Sequence, residues 1–92
     1  MRRRKKVYIM NTDNKQLRET LRKLPRGRAI EFIKSVGLLP DEESIIIDCD
    51  VDRNSMVHAA MSVNCSYGLA SLHRKHGYER MLYAINKLNY EI

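Results

Sequence analysis

Apolar residues in this chain recur three and four positions apart, in short stretches divided by recognisable stop signals, and that spacing admits helices and little else. Leu17, Leu21 and Leu24 form one stripe, opened by Asp13 and Gln16 at capping-box spacing and closed before Pro25, which predicts a helix over about 14–24. Ile30, Phe32, Ile33 and Val36 mark a second helix, stopped by Gly37 at a left-handed C-terminal cap with Pro40 beyond it. The stretch 41–49 is ambiguous, because Ile45, Ile46 and Ile47 are β-branched and suit a strand. Its opening favours a helix: Pro40, then Asp41 as the cap, then two glutamates where the macrodipole welcomes negative charge. Asn54 or Ser55 caps the next helix, about 55–63, which would bury Met56, Ala59, Ala60 and Val63. Ser66 caps another, running to about His76 with Leu69 and Leu72 inward and ended by Gly77. The last helix, about 78–89, carries Met81, Leu82, Ile85 and Leu88 on one face.

The expected fold class is therefore all-α: a small helical bundle containing a helix-turn-helix at about 55–76, within a single helical domain over 12–92. Ahead of it lies a basic N-terminal arm, 1–11, in which Val7–Met10 reads as a short strand or an extended segment laid on the core. Ninety-two residues leave no room for a second core or for a large layered enzyme fold. No apolar run approaches the ~18–20 residues of a membrane span, and no hydrophobic segment follows the basic arm as a secretory signal requires. Two cysteines make no disulfide framework, so Cys49 and Cys65 read as small buried hydrophobes in a reducing, cytoplasmic protein.

Charge is segregated along the chain. Residues 1–28 hold eleven Lys/Arg against Asp13 and Glu19, a net of plus nine; residues 29–54 hold two against seven acids, a net of minus five. The remainder adds plus two, giving +6 overall. Such a pattern suits a protein that lays a basic face on a polyanion and turns an acidic face to solvent or to a second protein.

Two short helices joined by a tight turn, with small Ala60 in the first and Ser66 capping the second, have the arrangement of a helix-turn-helix. Ala60 allows a close crossing, and Asn64 tolerates the left-handed conformation of the turn. The outward face of the second helix is then Tyr67, Gly68, Ser71, Arg74 and Lys75. Ser66 and the free amides of the first turn suit a phosphate, Gly68 permits close approach, and Ser71 with Arg74 offers donors to base edges. Arg2, Arg3, Arg4, Lys5 and Lys6 would neutralise further phosphates along the backbone or in a minor groove.

Leu39-Pro40 with an acidic first turn, an aliphatic helix, a polar loop ending in Ser55, then Ala59-Ala60, Asn64-Cys65-Ser66 and a basic helix resembles the promoter-binding C-terminal domain of bacterial sigma factors. It is also similar to the small sigma-like regulators carried by phages. The likeness covers about residues 38–85, with Asn64 where that family usually has Gly and Ala70 where it usually has a larger β-branched residue. The first 37 residues do not resemble other sigma domains. The resemblance implies an all-helical domain that contacts promoter DNA and RNA polymerase.

Other motifs fall short. Asp48, Asp50 and Asp52 alternate as in a calcium loop, but Arg53 and Ala59 stand where Gly and Glu are needed, leaving solvated acids as the reading. Cys49, Cys65, His73 and His76 match no zinc spacing, and no nucleophile with a base or phosphate loop is present, so no metal, cofactor or enzymatic activity is expected. The expected function is a small DNA-binding transcriptional regulator, from a phage or mobile element, acting on double-stranded DNA. The alternative is a protein-binding inhibitor or adaptor that uses the acidic belt Asp41–Asp52 to dock on RNA polymerase or another nucleic-acid-handling host protein. The last helix, with Tyr83 and Tyr90, is the candidate contact for a homodimer.

Overall fold

The computed structural model of the protein describes residues 12–92, so the basic arm at 1–11 and the extended segment expected at Val7–Met10 lie outside the described residues. Five α-helices follow in order: α1 Asn14–Lys23, α2 Arg26–Val36, α3 Pro40–Ile46, α4 Met56–Ser62 and α5 Tyr67–Leu88. A π-helical turn, Ile47–Val51, continues α3. The described residues contain no strand, and the molecule is all-α as the spacing predicts. Ile45 and Ile46 are helical and fully buried, one in each part of the core, so burial on two sides outweighs their β preference.

Local chemistry sets most helix ends. Asp13 accepts the Gln16 N–H at 2.9 Å while the Gln16 side chain accepts the Asp13 N–H at 3.2 Å, completing the capping box of α1. Gly37 closes α2 at φ 82°, a left-handed conformation that glycine adopts without a Cβ clash. Pro40 is the first residue of α3 and Leu39 occupies the cap position, so Asp41 sits within the first turn and not at the cap. Glu42 reaches back to accept the Leu39 N–H at 3.2 Å, the half of a capping box that needs no polar side chain at the cap position. Ser55, not Asn54, caps α4 by accepting the His58 N–H at 3.0 Å.

The C-terminal half departs from the sequence reading in one large respect: α5 is a single helix of 22 residues with Gly77 inside it. Gly77 has ordinary helical backbone, since Gly37 is the one glycine at positive φ among the described residues. What the position needs is room, because a β-carbon there would run into Ile46 Cδ1 of α3. The buried residues of α5 are Ala70, Gly77, Tyr78, Met81 and Ala84. Leu69 and Leu72, expected inward, are instead 44% and 45% exposed, because the face toward α4 and α3 passes through Ala70, where only a small side chain fits against Ala60.

The core has two connected parts. Leu17, Leu21, Ala29, Phe32, Ile33, Ile46 and Met81 gather α1, α2, α3 and α5; Ile45, Ala59, Ala60 and Ala70 join α3 to the α4–α5 hairpin. Fully buried side chains such as Leu17, Ile33, Ile46 and Met81 each contribute about 1.5–3 kcal/mol by leaving water. Cys49 and Cys65 are free and only half-buried, packed at the edge of the second part and not inside it. Burial, then the Asp50 carboxylate, pushes the Cys49 thiol up, which keeps it protonated.

Of the three alternating aspartates, Asp48 is half-buried and Asp50 fully buried, so neither is a solvated acid, whereas Asp52 is exposed as expected. Asp48 accepts from Asn54 Nδ2 at 2.6 Å, contacts His58 Nδ1 at 2.8 Å and accepts from Ser62 Oγ at 3.3 Å, which ties the π-helical turn to α4. Asp52 pairs with Arg26 of α2 at 2.7 Å, and Asp50 is fully buried against Arg74 of α5. Burial raises the Asp48 carboxyl, but the hydrogen bonds from Asn54, His58 and Ser62 outweigh it and hold the group below its ordinary range. The Arg26 hydrogen bond does the same for Asp52. Both carboxyls ionise more readily folded than unfolded, so their contribution is present above the unfolded pKa of about 4 and disappears as pH falls through the lower folded values. Urea melts should therefore show a falling midpoint from about pH 7 to about pH 3. Asp48→Asn should narrow that difference; an unchanged difference would show that the Asp48 network does not distinguish folded from unfolded chain.

Candidate nucleic-acid interface

The α4–α5 hairpin is built by backbone hydrogen bonds before any side chain is considered. Asn64 takes the left-handed conformation at φ 60°, the Cys65 N–H reaches back to the Ala60 carbonyl at 2.9 Å, and the Asn64 N–H bonds the Met61 carbonyl at 3.1 Å. This pair of bonds closes α4 in a Schellman motif and turns the chain in three residues. Ser66 then starts α5, its hydroxyl accepting the Leu69 N–H at 3.1 Å. Ala59, Ala60 and Ala70 are buried where the two helices meet, which lets their backbones approach closely.

Tyr67, Gly68, Ser71 and Lys75 are all exposed on α5, Tyr67 to 60%. Helical geometry puts them on one side of the rod, with Leu69, Leu72, His76 and Tyr83, also exposed, on the adjoining side. The outer surface of α5 is thus divided into a polar and basic stripe and a mostly apolar one. Gly68 has nothing within 4 Å of where a β-carbon would stand, so the stripe is open there.

Arg74 is placed differently from its neighbours. Its Nε donates to Asp50 Oδ2 at 3.0 Å and its Nη2 to Asp50 Oδ1 at 2.6 Å, a bidentate pair with a carboxylate that has no exposure. The Asp50 hydrogen bonds hold the guanidinium charged well above its already high ordinary value. Arg74 also lies over the Tyr78 ring, 5.4 Å from its centroid, a cation–π contact. The side chain expected to read bases spends two of its donors inside the molecule.

Spatial neighbours from α1 were not legible as part of this face. Asn14 and Arg18 stand across from Ser71, Arg74, Lys75 and Tyr78 and enclose with them a cleft of about 200 Å³. Of these lining residues, Arg18 Nε and the Tyr78 hydroxyl are buried without a well-formed hydrogen bond, and the Asp50 carboxylate lies near the Tyr78 hydroxyl. Burial, and next the nearby Asp50 carboxylate, push the Tyr78 phenol well above its ordinary value, so it remains a neutral O–H donor at physiological pH. No local sequence signal links α1 to α5; the packing of Leu17 and Leu21 with Met81 brings them together, and the Asn86 side chain pairs with the Thr12 backbone, accepting its N–H at 2.9 Å and donating to its carbonyl at 3.0 Å.

The acidic belt is largely consumed by internal pairs. Glu42, 1% exposed, meets Arg80 at 3.1 Å, Glu43 meets Lys34 at 3.2 Å, and the three aspartates are engaged as described. No cluster of three or more potential metal ligands occurs among the described residues, and no described helix is long and apolar enough to cross a membrane. No family model, curated protein or solved structure matches the chain.

Proposed function

We propose that the protein is a small DNA-binding regulator of transcription that presents the first three turns of α5 to duplex DNA, working in the cytoplasm of a host cell. The observation that supports this reading is the hairpin itself: a left-handed Asn64, a Ser66 cap and small residues at the crossing orient an exposed stripe of Tyr67, Gly68, Ser71 and Lys75 away from the core. Lys75 and Ser71 supply phosphate and base-edge donors, Gly68 allows backbone approach, and Tyr67 offers a ring and a hydroxyl at the helix start. The arm Arg2–Lys6 would add sequence-independent backbone contacts.

Gly68→Glu is the sharpest test, because the position is open and the change sets a carboxylate on the presented stripe without touching the core. An acid in the first helical turn is, if anything, mildly stabilising, so the thermal midpoint should hold or rise slightly. In a fluorescence-anisotropy titration with labelled duplex the variant should lose at least about tenfold in affinity, while deletion of residues 2–6 should weaken all duplex sequences alike and flatten the salt dependence. Unchanged binding by Gly68→Glu, or no duplex binding by the wild type at low salt, overturns the reading.

A protein-docking adaptor is the second reading, and the observation favouring it is no longer the acidic belt but the exposed stripe of Leu69, Leu72 and Tyr83 on the same helix. Leu72→Glu would abolish association with a protein partner such as RNA polymerase and leave duplex affinity near wild type, whereas a DNA-only role predicts no protein complex to lose.

A further inference from the structure

We propose that the cleft between α1 and α5 is a phosphate seat, in which an anionic phosphate oxygen accepts hydrogen bonds from the Tyr78 hydroxyl and from Arg18 Nε, with Ser71 and Lys75 at its rim. Three observations converge on this. The lining holds more donors than acceptors: Arg18, Arg74 and Lys75 have no acceptor atoms, Asn14 and Ser71 offer a single acceptor oxygen each, and the one carboxylate nearby, Asp50, receives two hydrogen bonds from Arg74. Two buried polar atoms of the lining residues, Arg18 Nε and the hydroxyl of Tyr78, whose side chain is 4% exposed, make no well-formed hydrogen bond, the Tyr78 hydroxyl having only the Asp50 carboxylate nearby. A buried donor left unpaired costs free energy that a bound acceptor recovers.

Charge points the same way. Neither Arg18 nor Lys75 takes part in an ion pair among the described residues, while the charge of Arg74 is balanced by Asp50. The cleft therefore carries about two uncompensated positive charges around two idle donors, which suits a phosphate diester or orthophosphate and disfavours a cation or an apolar group. The Arg74–Asp50 pair braces the Tyr78 ring from behind and so fixes where its hydroxyl lies. Because Ser71 and Lys75 belong both to the cleft rim and to the exposed stripe, a backbone phosphate of duplex DNA is the source expected, and that part rests on the reading of the protein as a DNA binder. Free orthophosphate is the other source of the same chemistry.

The test uses the full chain, with sodium phosphate and a labelled duplex as separate probes. Tyr78→Phe removes one unpartnered hydroxyl and no charge, so its thermal midpoint should equal or exceed that of the wild type. Both orthophosphate binding, followed by amide shifts across residues 71–78, and duplex affinity should fall about tenfold in this variant. Arg18→Gln should do the same and lower the slope of log affinity against log salt by about 0.9, whereas Arg28→Gln, an equal charge change on an exposed part of α2, should alter neither orthophosphate binding nor the Tyr78 dependence. If Tyr78→Phe and Arg18→Gln bind duplex and orthophosphate like the wild type, the seat is wrong and the DNA reading stands alone. If orthophosphate binds in a Tyr78-dependent way and duplex does not bind at all, the seat stands and the DNA reading falls. If the wild type binds neither probe, both are wrong.

Discussion

Arg74→Ala should leave the protein largely unfolded at 37 °C, because it strands the fully buried Asp50 carboxylate without its bidentate partner. Removing one member of a buried pair costs about 3–5 kcal/mol, and a domain of this size has a total stability of roughly 5 kcal/mol. The loss should appear in far-ultraviolet circular dichroism as a midpoint lowered by tens of degrees or as no cooperative transition. Replacing both members with apolar side chains, Asp50→Leu with Arg74→Met, should recover most of the stability, since what destabilises is the unpaired charge and not the loss of the pair. A midpoint for Arg74→Ala within a few degrees of wild type would show that Asp50 finds water or another donor. The same arithmetic governs any DNA-binding assay on Arg74→Ala: lost affinity there reports lost structure, and the exposed Gly68, Tyr67 and Lys75 are the positions at which binding can be separated from folding.

Gly77→Val should cost about 3 kcal/mol, at the upper end of what overpacking a close-packed interior usually does. The new side chain would meet Ile46 Cδ1 and lie against Glu42 Cβ, and Ile46 is fully buried in the main core, where a rotation would have to displace its neighbours. Gly77→Ala should cost less, because the gain of about 1 kcal/mol in helix propensity partly offsets the clash. Combining Gly77→Ala with Ile46→Val, which deletes the obstructing methyl, should be less harmful than the sum of the two single changes, with the difference measured as a coupling energy in urea melts. Strict additivity would mean that α3 and α5 separate slightly and the contact at Gly77 is not a tight one.

Much of the architecture was legible because it is written locally. The Asp13–Gln16 box, the Gly37 cap, Ser55, Asn64 and Ser66 all act within a few residues of themselves, and each does in the structure what its side-chain chemistry favours. The errors arose where the same residue type serves two purposes. Glycine stops helices and also lets helices touch, and Gly77 does the second; the clue lay in the continuous series Ala70, Arg74, Gly77, Met81, Ala84 and Leu88, which keeps helical spacing straight through the supposed stop. Leu69 and Leu72 drew the inward assignment by their size, although the hairpin crossing needed alanine. Asp48 and Asp50 read as solvated, as Asp52 is, because a lone acid gives no hint of a distant partner, such as Arg74, 24 residues from Asp50. The cleft of Arg18 and Tyr78 was invisible for the same reason: its walls come from distant parts of the chain, and nothing local in either points to the other.

An unbroken α5 has a mechanical consequence. Twenty-two residues make a rod of about 33 Å, clamped near its middle by Ile46 and by the Asp50 carboxylate one turn earlier. With no joint at Gly77, the same rod is held by Ala70 against α4 near one end and by Met81 in the main core toward the other, so the exposed stripe at its start keeps a fixed bearing on the rest of the domain.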